Sequence, residues 1–139
     1  MKKLLGMAVV FAVALSSCKK DDEKVCDLNQ SNVVGTYKTT SLKYKADAST
    51  PEVDLFLLAD VCEKDDLQVF NSNNTFNYVD AGTQCTPSGD FTSTWSLSGN
   101  SIIIDGELGN VSSFNCSGMT VTIPGTVTGE LTTITLVKQ

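Results

Sequence analysis

From residue 33 to residue 137 the chain is a succession of short runs rich in Val, Ile, Thr, Phe and Tyr, punctuated by Gly, Asn and Ser. Runs of this length and composition suit half-buried strands, so the pattern restricts the chain to an all-β fold. The runs are 33–44, 67–70, 75–79, 91–97, 101–105, 111–115, 119–123 and 129–137. Asn71-Ser72-Asn73-Asn74, Ser98-Gly99-Asn100 and Cys116-Ser117-Gly118 are turn sequences that join three pairs of runs into hairpins. If every strand reverses direction, the first and the eighth are antiparallel and can pair. The expected fold is therefore a single eight-stranded antiparallel up-and-down barrel. The three hairpin turns then lie at one end, and the longer connections, including the one before residue 111, lie at the other.

The longest connection, residues 45–66, carries its own signal. Thr50-Pro51-Glu52 reads as a helix start, with Thr50 as cap and Pro51 in the first helical position. Val53, Leu55, Phe56, Leu57 and Leu58 follow, so a short apolar helical flap is expected over the loop end.

The N-terminus sets an address. Lys2 and Lys3 precede an apolar run from Leu4 to Leu15, well short of the roughly 20 residues that span a bilayer. Leu15-Ser16-Ser17-Cys18 resembles the lipobox of bacterial lipoproteins, which implies cleavage of residues 1–17 and lipidation of Cys18. Residues 18–30 are expected to form the lipidated cysteine and a charged tether, and residues 31–139 the barrel. Lys19-Lys20-Asp21-Asp22-Glu23 resembles the export signal of surface lipoproteins in Bacteroidetes-type bacteria. The resemblance implies an outer-membrane, surface-exposed protein whose membrane partner is reached through the lipid anchor. Loss of Lys2 and Lys3 changes the net charge from −6 to −8. Such an acidic chain is repelled by a phosphate backbone, which argues against nucleic acid as a partner.

The chain has no His and no Arg. Ser-His-Asp and Cys-His catalytic units are excluded, as are His-based zinc sites and bidentate arginine recognition of anions. Four cysteines remain after Cys18: Cys26, Cys62, Cys85 and Cys116. An even number in an exported chain argues for two disulfides, and no two of them have the C-x₂₋₄-C spacing of a zinc site. In the barrel layout Cys62 and Cys85 fall at the loop end, and Cys26 and Cys116 at the hairpin end. A disulfide joins only Cα atoms within about 7 Å, whereas a strand is roughly 17 Å or longer. The layout thus pairs Cys62 with Cys85 and Cys26 with Cys116.

Gly35-Thr36-Tyr37, Cys62-Glu63-Lys64-Asp65-Asp66 ahead of Phe70, and Trp95-Ser96-Leu97-Ser98-Gly99-Asn100 resemble the lipocalin-like lipoprotein domains of Bacteroidetes. The resemblance runs over most of residues 30–137 and implies a lipocalin-like barrel. Lipocalins proper carry Gly-x-Trp at the start of their first strand, with an arginine over the tryptophan. Here Tyr37 stands in place of the tryptophan and no arginine exists.

Phe91, Trp95 and Leu97 alternate onto one strand face, and Ile102, Ile104, Val121 and Ile123 are expected to join them inside. Tyr37, Phe76 and Tyr78 are further interior residues, although a one-residue slip of register would turn those strands over. An eight-stranded interior is either filled by side chains or holds one small ligand. The principal expectation is a non-enzymatic, monomeric barrel that binds a small, partly apolar ligand. The ligand would enter beneath Leu55 and Phe56, approach Trp95, and meet Tyr37, Phe76, Tyr78 and Phe91. Lacking Arg and His, the site would favour a neutral or weakly polar molecule. The alternative is a solid barrel whose loop rim contacts a protein or glycan at the cell surface. Asp60, Glu63, Asp65 and Asp66 bunch beside the flap without the alternate spacing and glycine turn of an EF-hand loop. They read as a solvated rim, with no metal and no cofactor implied.

Overall fold

Each strand ends where the sequence supplies a residue able to reverse the chain. Asn74 (φ 68°) closes the first hairpin, with the Asn71 amide donating to the Thr75 carbonyl at 2.9 Å. Gly99 (φ 58°) turns the second. The computed structural model describes residues 26–139; the signal region 1–17, Cys18 and residues 19–25 lie outside the described residues.

The strands are β1 (Gly35–Lys45), β2 (Val53–Asp54), β3 (Leu67–Phe70), β4 (Thr75–Val79), β5 (Phe91–Ser98), β6 (Ser101–Ile104), β7 (Glu107–Asn115), β8 (Gly118–Pro124) and β9 (Leu131–Lys138). A single antiparallel sheet runs β2-β1-β3-β4-β5-β6-β7-β8-β9 and closes through β1–β9. Closure pairs Tyr37 with Lys138 at one end and Lys45 with Leu131 at the other. Strands β1 and β3–β9 form the eight-stranded up-and-down barrel. Strand β1 outlasts its neighbour: Gly35–Lys38 pair with β3, whereas Lys43 and Tyr44 pair with the two residues of β2.

Three local expectations are corrected. The connection after β6 is not long: Asp105 (φ 52°) and Gly106 (φ 83°) make a two-residue turn of the kind that fits a twisted hairpin, so β7 starts at Glu107. Gly109 and Asn110, which precede the run expected to start at residue 111, therefore lie within the strand. A Cβ at Gly109 would come within 2.8 Å of Val121 Cγ1, and its absence lets β7 approach β8 closely. The flap also starts later than Thr50. Asp47 Oδ1 accepts from the Ser49 and Thr50 amides at 2.7 and 2.8 Å, which folds that segment into a turn. Val53–Asp54 then pair with β1, and a 3₁₀ turn at Leu55–Leu57 is capped by Asp54, which accepts from the Phe56 amide at 3.0 Å. Finally, Gln30–Val33 form a short helix, α1, capped by Asn29, in a region expected as tether and strand start.

Helix α1 plugs the hairpin end. Val33 is fully buried, its carbonyl accepts from the Tyr37 hydroxyl at 2.8 Å, and Cys26 is bonded to Cys116. Lys138 donates to the Asn32 carbonyl at 2.9 Å and lies 5.5 Å above the Tyr37 ring. It provides a cation over the aromatic ring, the arrangement for which lipocalins use arginine and tryptophan. Gly35 below it adopts φ 151°, a conformation that L side chains rarely take, and a Cβ there would also displace the end of the Lys138 side chain.

Above the plug, Phe70 is the hub of an aromatic cluster. Tyr37, Phe76 and Trp95 meet it edge-on at 5.5, 5.2 and 5.3 Å. Such pairs contribute about 0.5–1.5 kcal/mol each beyond the area they bury. Ile102, Val111, Met119, Val121 and Leu136 fill the remaining space. The core is therefore concentrated in the hairpin half of the barrel.

Candidate functional site

The loop half is not filled. A recess of about 250 Å³ lies beneath the flap, with Phe56 and Ala59 above it. Thr39 and Leu42 of β1, Tyr78 of β4 and Ile134 of β9 form its walls. A second recess of about 190 Å³ extends between β6 and β8, against Ile104, Gly109 and Ile123. Gln68 and Ile134 border both, so the two adjoin inside the barrel.

Local irregularity makes this wall. Strand β1 bulges between Thr39 and Ser41, which shifts its inward phase from odd-numbered to even-numbered residues. Thr39 and Leu42, three apart, consequently face the same space. Gln68 Nε2 donates to Thr39 Oγ1 at 2.9 Å, which satisfies a polar pair within a mainly apolar lining. Glu63 and Glu107 border the first and second recess respectively, and Tyr78 carries another polar group. Burial, followed by a hydrogen bond to Asp66, pushes its phenol well above the ordinary range. It therefore stays a neutral donor at every physiological pH. Phe91 stacks on Tyr78 with centroids 5.5 Å apart and 9° between planes.

The rim is built from carboxylates that hold loop backbone. Asp80, only 5% exposed, accepts from the Cys85 amide at 3.1 Å and the Gly89 amide at 3.3 Å. Asp90 accepts from the Asp80 amide at 2.8 Å and binds Ser88, contacts that keep its carboxyl below the usual range. Asp65 and Asp66 accept from the Thr83 and Ala81 amides. The Cys62–Cys85 disulfide, with Cα atoms 5.3 Å apart, fastens the base of the flap to this loop. Among the described residues no three Cys, Asp or Glu side chains converge on a common metal position.

The sequence matches the family described as Lipocalin-like domain over residues 33–136. The chain belongs to the lipocalin-like domain family. No curated protein and no solved structure matches it. The lipocalin-like match takes in β1 to β8 and all of β9 except Val137 and Lys138, with Val33 the only residue of α1 inside it. Cys26, which ties the start of the fold to Cys116, precedes the matched residues. Small-ligand binding is the activity this fold suggests, and lipocalin-like proteins are typically binders rather than enzymes.

Of the residues singled out for ligand contact, Phe56 and Tyr78 border the first recess. Leu55 lies beside it in the flap, 37% exposed, and Phe91 is 44% exposed on the far side of Tyr78. Tyr37, Phe76 and Trp95 belong to the packed half. Trp95 is 2% exposed and donates Nε1–H to the Asn71 carbonyl at 2.9 Å, at the hairpin end. Sequence reasoning missed Thr39, Leu42, Gln68 and Ile134. Strand parity was the available signal, but the bulge in β1 breaks it.

Proposed function

We propose that this lipocalin-like barrel binds a small, partly apolar ligand in its loop half, in a monomeric lipoprotein anchored through Cys18 at the outer surface of the outer membrane. The observation that carries the reading is the pair of adjoining recesses in the loop half, the first of them beneath Phe56, next to the buried aromatic cluster of the hairpin half. Ordinary ligand sites occupy roughly 300–1,000 Å³, so recesses of about 250 and 190 Å³ suit a compact molecule. Phe56 is the contact that a ligand must share or displace.

The test is titration with the neutral, polarity-sensitive probe N-phenyl-1-naphthylamine. Saturable binding is expected in the wild type. In Phe56→Asp a carboxylate placed against the apolar lining should weaken binding by about tenfold or more, with the circular dichroism spectrum unchanged. A wild type that shows no saturable binding would end this reading. A surface-contact reading is favoured by Leu57, Leu58 and Val61, which are 73, 75 and 74% exposed. Probe binding that survives Phe56→Asp but is lost on Leu57→Ser with Leu58→Ser would establish that reading instead.

The anchor is tested separately in a Gram-negative host. Wild-type protein should partition into detergent, carry an acyl mass on Cys18, and be cut by a non-permeant protease on intact cells; Cys18→Ala should lose the first two properties. An unmodified wild-type Cys18, or detergent partition retained in Cys18→Ala, would remove the lipoprotein assignment, and protection of the wild type from protease would remove surface exposure.

A further inference from the structure

We propose that the ligand of this site carries a protonated amine on its apolar body, an inference that rests on the ligand-binding reading above. Apart from Tyr78, held neutral, the ionisable side chains bordering the recesses are Glu63 at the first and Glu107 at the second. Among the described residues no lysine borders either recess. The lysines near this end are directed elsewhere. Lys43 pairs with Glu52 at 3.0 Å, and Lys64 donates to the Leu57 carbonyl at 3.2 Å. Lys45, like Lys43, alternates with the inward Leu42 and Tyr44 on β1 and so points away from the interior.

Behind the recess, among the described residues, no lysine pairs with the carboxylates. Asp66 and Asp80 are 6 and 5% exposed, and their partners are backbone amides and the Tyr78 hydroxyl. Asp65 Oδ1 is buried without a partner. The amides that hold these carboxylates are dipoles and bring no net positive charge to offset them. A low-dielectric cleft lined by one sign of charge concentrates that field on its contents. An ammonium at the lip of the first recess would meet Glu63, whose Oε2 already accepts from the Asp60 amide at 2.9 Å and is thereby fixed at the mouth. The hydrocarbon part would lie against Leu42, Phe56 and Ile134. A carboxylate or phosphate head would be repelled by Glu63 and would find no cation among the lining residues. The absence of arginine and histidine disfavours anions; the placement of the carboxylates goes further and selects a cation over a neutral head.

Three eight-carbon probes that differ only in the head group test this: octylamine, 1-octanol and octanoate, titrated by calorimetry and by displacement of N-phenyl-1-naphthylamine. The amine is protonated at neutral pH, as a lysine side chain is. Octylamine should bind about tenfold tighter than octanol, equivalent to about 1.4 kcal/mol, with octanoate weakest. Its advantage should shrink as salt rises from about 20 to about 500 mM, because exposed charge is screened. The Glu63→Gln, Glu107→Gln double variant keeps acceptors at both positions and should reduce the ratio of octylamine to octanol affinity to about twofold or less. Equal affinity for octylamine and octanol overturns the amine inference and leaves the small-ligand reading standing, as does tighter binding of octanoate. An amine preference that persists in the double variant overturns the assignment to these carboxylates. Failure of all three compounds and of the neutral probe overturns both readings.

Discussion

Replacing Trp95 by alanine is expected to lower the free energy of unfolding by about 3–5 kcal/mol, the ordinary cost of emptying a buried aromatic site. The indole is 2% exposed and meets Phe70 edge-on at 5.3 Å. Its Nε1–H is given to the Asn71 carbonyl at 2.9 Å, and its backbone amide to the Asn74 carbonyl at the same distance. The side chain thus fills the hairpin half and also latches the β3–β4 turn, so truncation leaves both a cavity and an unpaired acceptor. Trp95→Phe retains most of the apolar contact and removes only the indole hydrogen bond; about 1–2 kcal/mol is expected. Urea denaturation of both variants measures the difference. Neither should change the affinity for N-phenyl-1-naphthylamine by more than about twofold, since Trp95 does not border the recesses. A large loss of probe binding in Trp95→Phe would mean that the division between a filled and an open half is incorrect.

That division marks the boundary of what strand periodicity can reveal. Eight short runs with turn residues between them were enough to specify an up-and-down barrel. Alternation alone placed Trp95, Ile102 and Val121 inside, because β5, β6 and β8 run without irregularity through those positions. The two disulfides followed from the layout, since only one pairing keeps each bridge at one end. Parity failed where the backbone departs from it. The bulge after Thr39 reverses the facing of half of β1, and nothing in Thr39-Thr40-Ser41 distinguishes a bulge from a regular strand. Gly109 carried no strand signal for a different reason: a glycine required for close packing against Val121 has the same letter as one required by a turn. Helix α1 is a single turn whose residues acquire meaning only from the barrel end they cover, so Gln30-Ser31-Asn32-Val33 carry no periodic signal. The missing arginine was legible, but its substitute was not. Lys138 is remote in sequence and reaches Tyr37 only because closure pairs those two residues. Along the rim, Asp65 and Asp66 resembled solvated charges, yet their oxygens hold the amides of the loop that follows β4.

The two disulfides should prove unequal in stability and opposite in function. The Cys26–Cys116 bridge spans 90 residues, and the Cys62–Cys85 bridge spans 23. On loop-entropy grounds, removing the first should cost about 4–5 kcal/mol and removing the second about 3 kcal/mol. Position in the barrel reinforces the order. Cys26 holds the entry to α1, whose Val33 seals the hairpin end against Tyr37, so its loss also frees the plug to open. Cys62 and Cys85 instead join two rim segments that are independently held by the carboxylates of Asp65, Asp66 and Asp80. The functional effect should run the other way. Without Cys62–Cys85 the flap bearing Phe56 and Ala59 loses its fixed base, and probe affinity is expected to fall about tenfold, whereas the Cys26→Ser, Cys116→Ser variant should bind as the wild type does while folded. Guanidinium denaturation and N-phenyl-1-naphthylamine titration of the two double-serine variants separate these effects. If the rim variant is the less stable of the two, or if it binds the probe with wild-type affinity, then the flap is not held over the recess by Cys62–Cys85.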